Sequence, residues 1–177
     1  MERARAQAGG DDREALAHIC AVAEKTRVAM LTTIADDGQL RSRPLHTERV
    51  DADGTLWFIV GADAPKLREA GEHGGRACIT YVDIGRQDYV SLSGTAERVD
   101  DPQCKAQLWS AVAEVWFPGG KDSADVGVLR FSPARGEYWS GPASLAGKLL
   151  AFTRAALTGD ASGFGTQRKL EIKDGAA

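Results

Sequence analysis

Three separated segments carry the side chains most able to do chemistry: Arg41 to Leu45, Lys66 to Glu69, and Glu137-Tyr138-Trp139. A guanidinium pairs bidentately with phosphate, and a lysine near the start of a short helix adds a point charge beside free backbone N–H groups. Arg41, Arg43, Leu45 and Thr47 share one strand face by period-two alternation, and Pro44 removes one ladder donor between them. With Lys66, that face can grip an anion; the competing reading makes these cations ordinary surface charges. Other chemistries find less support. His18, His46 and His73 form no H-x-x-x-H or H-E-x-x-H pair, so no metal site is expected. His46 alone borders the basic segment, in a packing or a proton-transfer role. Ser91 and Ser93 lack a nucleophile elbow, which leaves a hydrolase triad unsupported.

Elements must position these residues. From Asp11 to Lys25 the apolar Leu16, Ile19, Cys20 and Ala23 recur at helical spacing, which predicts an N-terminal helix. Val28 to Ile34 reads as a strand, Asp37-Gly38 as a hairpin turn, and Gln39 to Val50 as the second strand. Asp53-Gly54 turns the chain into a third strand ending at Val60. Pro65 to Glu72 is a short helix with proline in its first turn and Gly74-Gly75 beyond its end. Arg76 to Val82 and Tyr89 to Val99 alternate as further strands, and Asp101-Pro102 opens a helix reaching Trp116. Val126 to Ser132 and Gly136 to Trp139 complete the strands, and Leu145 to Leu157 is a last helix. Antiparallel strands joined by short turns must hide their edges, so the expected class is mainly β (α+β), a small barrel of about six to seven strands with peripheral helices. No G-x-G-x-x-G or P-loop motif is present, so a nucleotide would have to bind by other means.

The 177 residues, 43% hydrophobic and 27% charged, suffice for one core. Residues 1–10 are expected to be a flexible N-terminus, 11–157 the folded domain, and 158–177 a polar tail with order only near Leu170 to Ile172. A net charge of -3 gives no broad basic field, so nucleic acid is not an expected partner. Cys20, Cys78 and Cys104 form no C-x-x-C pair, which argues against zinc and a disulfide framework. With no apolar leader and no run of roughly 20 apolar residues, the expectation is a cytoplasmic protein without a membrane partner.

A set of segments then becomes specific by order and spacing: Arg41-Ser42-Arg43-Pro44-Leu45, Leu56 to Val60 with Lys66 following, Tyr89 to Ala96, Leu108-Trp109, Trp116-Phe117-Pro118-Gly119-Gly120, and Glu137-Tyr138-Trp139. Across Val28 to Leu157 the chain resembles the pyridoxamine 5′-phosphate oxidase-like split-barrel superfamily, and within it the general stress protein 26 branch of FMN-binding proteins. The resemblance implies a split β-barrel that holds FMN. Arg43-Pro44-Leu45-His46 would line the flavin, with Arg43 directed at the FMN and Lys66 at its phosphate. Ile59 and Val60 end the third strand beside the site, where the family usually has a hydroxyl residue and this chain has Val60-Gly61. Trp139 resembles the tryptophan that borders the flavin from the partner subunit. Tyr89 matches a strand start near the flavin ring, with core or interface packing as its alternative. Trp116 begins a segment that is either a lid or a hydrophobic plug ending a helix.

The resemblance also narrows the activity. Pyridoxamine phosphate oxidases proper carry an arginine, histidine, aspartate and arginine cluster after their aromatic strand, whereas Pro142 to Lys148 lacks it. Oxidation of vitamin B6 phosphates is therefore not expected. The expected protein is a homodimeric FMN-binding flavoprotein of general-stress type, with flavin sites at the subunit interface. It could be an oxidoreductase of unassigned donor and acceptor, with no acid or base yet named. The alternatives are a non-catalytic flavin binder or sensor, and a split barrel holding a deazaflavin or haem or serving as a scaffold.

Overall fold

β-branched runs cut by Asp-Gly turns direct the chain into a meander. The computed structural model, which describes residues 2–142 and 166–172, shows that meander closed on itself. Strands β1 (Val28–Ile34), β2 (Leu40–Val50) and β3 (Leu56–Gly61) form consecutive antiparallel pairs. Gly38 (φ +77°) and Gly54 (φ +88°) supply the left-handed positions that the two turns need. β4 (Arg76–Asp83) pairs back onto β1, β5 (Asp88–Val99) onto β4, and β6 (Val126–Ser140) onto β5. The first half of β6 also pairs with β3, from Leu56 opposite Phe131 to Gly61 opposite Val126. That pairing closes a six-strand antiparallel barrel. The same edge of β6, further along, takes an added strand β7 (Thr166–Glu171).

Several elements differ from the sequence reading for local reasons. The first helix, α1 (Glu2–Thr26), starts well ahead of Asp11, because Glu, Arg, Ala and Gln in its first turns are strong helix formers. β6 is one strand where two were expected. Ala134 is an extra residue between Pro133, opposite Gly94, and Arg135, opposite Ser93, so the proline is absorbed in a bulge. A Cβ on Gly94 would lie 2.1 Å from the Ser132 carbonyl oxygen, so that crossing requires glycine. The helix expected over Asp101 to Trp116 is two: beyond α2 (Pro65–Gly71) come α3 (Pro102–Leu108) and α4 (Ala111–Trp116). Trp109 is extended, and the Ser110 side chain accepts from the Ala113 N–H to start the second helix. Most of the expected polar tail, and the helix expected over Leu145 to Leu157, lie outside the described residues.

Alternation sorts the side chains into two clusters. Leu31, Leu45, Phe58, Val60, Ile79, Leu92, Leu129 and Phe131 fill the barrel, joined by Ile19, Val22 and Ala23 of α1 and Leu67 and Ala70 of α2. Full burial of each large side chain contributes roughly 1.5–3 kcal/mol, so this inward face carries the fold. On the outside, Trp57, Ile59, Val126 and Val128 pack beneath Leu108 and Ala113. This second cluster anchors α4 on the outer side of β3 and β6, next to the outward face of β1 to β3.

Candidate functional site

A cavity of about 450 Å³ lies between that outward face and α4. It falls in the size range of small-molecule sites. Its position follows from the alternation of β2. Leu45 and Thr47 are buried inward, with Thr47 Oγ1 2.7 Å from Tyr81 Oη, so Pro44 and His46 face out into the cavity. The β2–β3 register then slips: Thr47 is opposite Phe58, Arg49 is opposite Trp57, and Glu48 is the extra residue. A bulge re-aims side chains, and here two successive residues, Glu48 and Arg49, both face outward. Arg49 lies over the Trp57 ring at 4.6 Å, while Glu48 turns into the cavity. Ile59 and Gly61 of β3, Val28 of β1, and Val112, Trp116 and Phe117 around α4 form mostly apolar walls. Leu45 and Val60, whose side chains belong to the barrel core, also border the cavity.

Lys66 is the cation of this cavity. It is half-buried and has no acidic partner among the described residues. Burial and the nearby Arg43 charge push its pKa below the ordinary lysine value. Arg43 is in a different situation. It shares the inward side of β2 with Leu45 and does not line the cavity. Its Nη1 donates to Glu69 Oε2 at 2.7 Å and to Thr33 Oγ1 at 2.8 Å, and its Nη2 donates to Glu69 Oε1 at 2.8 Å. Burial raises the pKa of Glu69, but hydrogen bonds from Arg43 and Thr33 and the charges of Arg43 and Arg41 outweigh it and hold the carboxyl below its usual range. The Arg43 fork is thus already engaged by a carboxylate. Arg41 pairs with Asp37 at 2.6 Å on the surface.

The structure therefore brings together Pro44, Leu45, His46, Ile59, Val60, Lys66 and Trp116 of the expected set. Tyr89 and Trp139 lie elsewhere, opposite each other across β5 and β6, both partly exposed on the outer surface. Glu48, Val28 and Val112 escaped the sequence reading, and Phe117 entered it only within the lid-or-plug segment that Trp116 begins. Glu48 had a signal, since it follows His46 by two residues on the same strand face, but the bulge that buries it had none. Among the described residues no group of three or more His, Cys, Asp or Glu could hold a metal ion, and no helix is long and apolar enough to cross a membrane. Chemically, the arrangement offers a mostly apolar cavity, one cation without an acidic partner among the described residues, and a histidine beside a buried acid.

Residues 14–162 match the family described as pyridoxamine 5′-phosphate oxidase like. A solved structure named as a general stress protein 26, from Jannaschia sp. CCS1, is 31% identical, with 89% of this chain and 99% of that one covered and a TM-score of 0.72. A protein related to general stress protein 26 from Clostridium acetobutylicum shares the fold at 18% identity, covering 91% and 96% with a TM-score of 0.69. The general stress FMN/FAD binding protein of Xanthomonas citri is 24% identical over 71% of this chain and 88% of its own, with a TM-score of 0.62. No curated protein matches the sequence.

Proposed function

The chain belongs to the pyridoxamine 5′-phosphate oxidase like family, and from that premise we propose that its outer cavity binds a flavin, FMN, with the phosphate at Lys66. The observation that carries this reading is Lys66 itself: a half-buried cation repelled by Arg43 and without an acidic partner among the described residues. Such a charge is costly unless an anion compensates it. The apolar walls of Ile59, Val112 and Trp116 suit a flat aromatic ring, so the donor set fits a phosphate-tailed flavin. The Xanthomonas citri relative, named for FMN/FAD binding, supports the same cofactor class. A bound flavin would supply reversible uptake of an electron pair, the chemistry of an oxidoreductase. Lys66 would hold the phosphate, and the walls from β2, β3 and α4 would enclose the ring and exclude water.

An absorption spectrum of the purified protein, followed by release of the chromophore, tests the assignment. FMN is the expected product. A Soret band, a deazaflavin spectrum or a protein that takes up no added FMN would overturn it.

A second copy of the chain completes the proposed site. Val28 is opposite His46, and Met30 opposite Thr80 sets a register that brings Val28 alongside Val82. Val82 is opposite Tyr89, and Tyr89 is opposite Trp139. This row runs outward from the cavity across five strands with Val28 54%, Val82 46%, Tyr89 43% and Trp139 37% exposed. A contiguous apolar surface of this kind marks an interaction site, and a two-fold pairing would bring Trp139 of the second copy to the flavin. Sedimentation should give about twice the 18.9 kDa chain mass. Because a tryptophan beside the ring quenches flavin emission, Trp139→Ala should brighten bound FMN. A monomer with full flavin affinity, or a folded variant with parental emission, would remove the interface from the site.

A further inference from the structure

A separate cavity, of about 270 Å³, lies where α1 crosses the β6–β7 ladder, and its walls are mostly polar. Glu14 and His18 stand one turn apart on α1 and form one side. Tyr138 and Ser140 project from β6, and the β7 residues Arg168 and Thr166 lie opposite them. The His18 ring packs against Tyr138, with centroids 4.5 Å apart. None of these residues borders the cavity given to the flavin.

A buried acid sits behind His18. Asp88 of β5 is opposite Ser140, and its side chain is only 7% exposed. Its Oδ1 lies 3.8 Å from His18 Nε2, too far for a hydrogen bond, whereas the same nitrogen is 3.1 Å from Ser140 Oγ. Among the described residues no hydrogen-bond donor reaches the Asp88 carboxylate. A buried carboxylate without a donor is costly, and the imidazole is the group placed to answer it. Both contacts of the ring use Nε2, so Nδ1 is the nitrogen left for a ligand. When Ser140 donates to Nε2, or when the ring is charged beside Asp88, Nδ1 carries a proton and can donate.

We propose that this cavity binds a small zwitterion of the α-amino acid class, with its carboxylate on His18 Nδ1 and the Thr166 hydroxyl and its ammonium on Glu14. Groups of both signs line the walls, Glu14 from α1 and Arg168 from β7, which suits a ligand carrying both charges. A ligand carboxylate selects the ring forms with a proton on Nδ1, and the imidazole then stands between that carboxylate and Asp88. His18 is the binding residue, and Asp88 acts through it as a positioning residue. The volume is at the lower end of small-molecule sites, which limits the ligand to a few heavy atoms. Nothing in the proposal depends on the flavin.

Titrating the full chain with L-alanine, acetate and ethylammonium, followed by ¹⁵N NMR of the His18 ring and the Ser140 and Thr166 amides, tests the assignment. L-alanine should give saturable shifts, larger at His18 Nδ1 than at Nε2. Acetate and ethylammonium, each with half of the charge pattern, should bind more weakly, on the order of tenfold or more. Glu14→Gln alters an exposed side chain and should bring L-alanine down to the affinity of acetate, which itself stays unchanged. His18→Phe keeps a ring against Tyr138 and should weaken L-alanine and acetate alike. Should that variant fail to fold, Glu14→Gln and the Nδ1 shift still decide. Shifts reproduced by sodium chloride, no saturable shift with any probe, or equal affinities for L-alanine and acetate in the parent would overturn the proposal.

Discussion

Arg43→Ala should destabilise the protein by about 3–5 kcal/mol, the range for removing one partner of a buried ion pair. The Glu69 side chain is 3% exposed, and its carboxylate receives both guanidinium nitrogens and the Thr33 hydroxyl. Alanine would leave that charge buried with one neutral donor. The effect depends on pH in a defined direction. Glu69 titrates below its usual range in the folded protein, so its stabilising contribution is present above the unfolded carboxyl value and is lost as pH falls through the folded one. The gap between parent and variant in urea unfolding should therefore be largest near neutrality and shrink in acid. The paired variant Arg43→Ala with Glu69→Ala should lose less than the two single changes summed. A single variant within about 1 kcal/mol of the parent would mean that Glu69 finds another partner, since only surface pairs are worth so little.

The second large effect concerns affinity. Lys66→Ala should weaken FMN binding by about 1.5–3 kcal/mol, the range for hydrogen bonds to charged groups, or roughly 10- to 150-fold. Riboflavin, which lacks the phosphate, should bind both proteins alike. Burial and Arg43 lower the Lys66 titration in the free protein, so its charge is lost at a lower pH than an ordinary lysine's. Parental FMN affinity should fall as pH rises through that lowered value, and the Lys66→Ala variant should lack this dependence. Fluorescence titration with both ligands across alkaline pH reads the difference. Equal losses for FMN and riboflavin would place the phosphate elsewhere.

The contrast between Lys66 and Arg43 marks where the sequence is legible. Strand boundaries come through because β-branched alternation and Asp-Gly turns act over a few residues; β1 matches its expected span of Val28 to Ile34. The anion-gripping face of β2 does not come through. Arg43 does share a face with Leu45 and Thr47, as period two requires, but that face is the inside of the barrel. Its partner Glu69 lies on another element, beyond the reach of any local pattern. The bulge at Glu48 is equally silent, because an extra residue is defined only against the partner strand. Ser110 shows a third case: its capping of α4 uses a recognisable residue type, but the continuous apolar face from Leu108 to Trp116 masks the break.

The double pairing of β6 bears on how the protein is assembled in time. β1, β2 and β3 meet through tight turns and close at little entropic cost, whereas the β3–β6 ladder joins segments separated by the whole of α2, β4, β5, α3 and α4. Loop closure of that length must be met before the contacts reward it, so such pairings form slowly relative to hairpins. The outer face of β3, which forms one cavity wall, is held in register by that same ladder and roofed by helices from the intervening segment. A ligand of this cavity therefore binds the completed barrel and not its hairpins, drawing the population toward the closed state by mass action. Supply of such a ligand during synthesis would then help set how much chain reaches and keeps the native state.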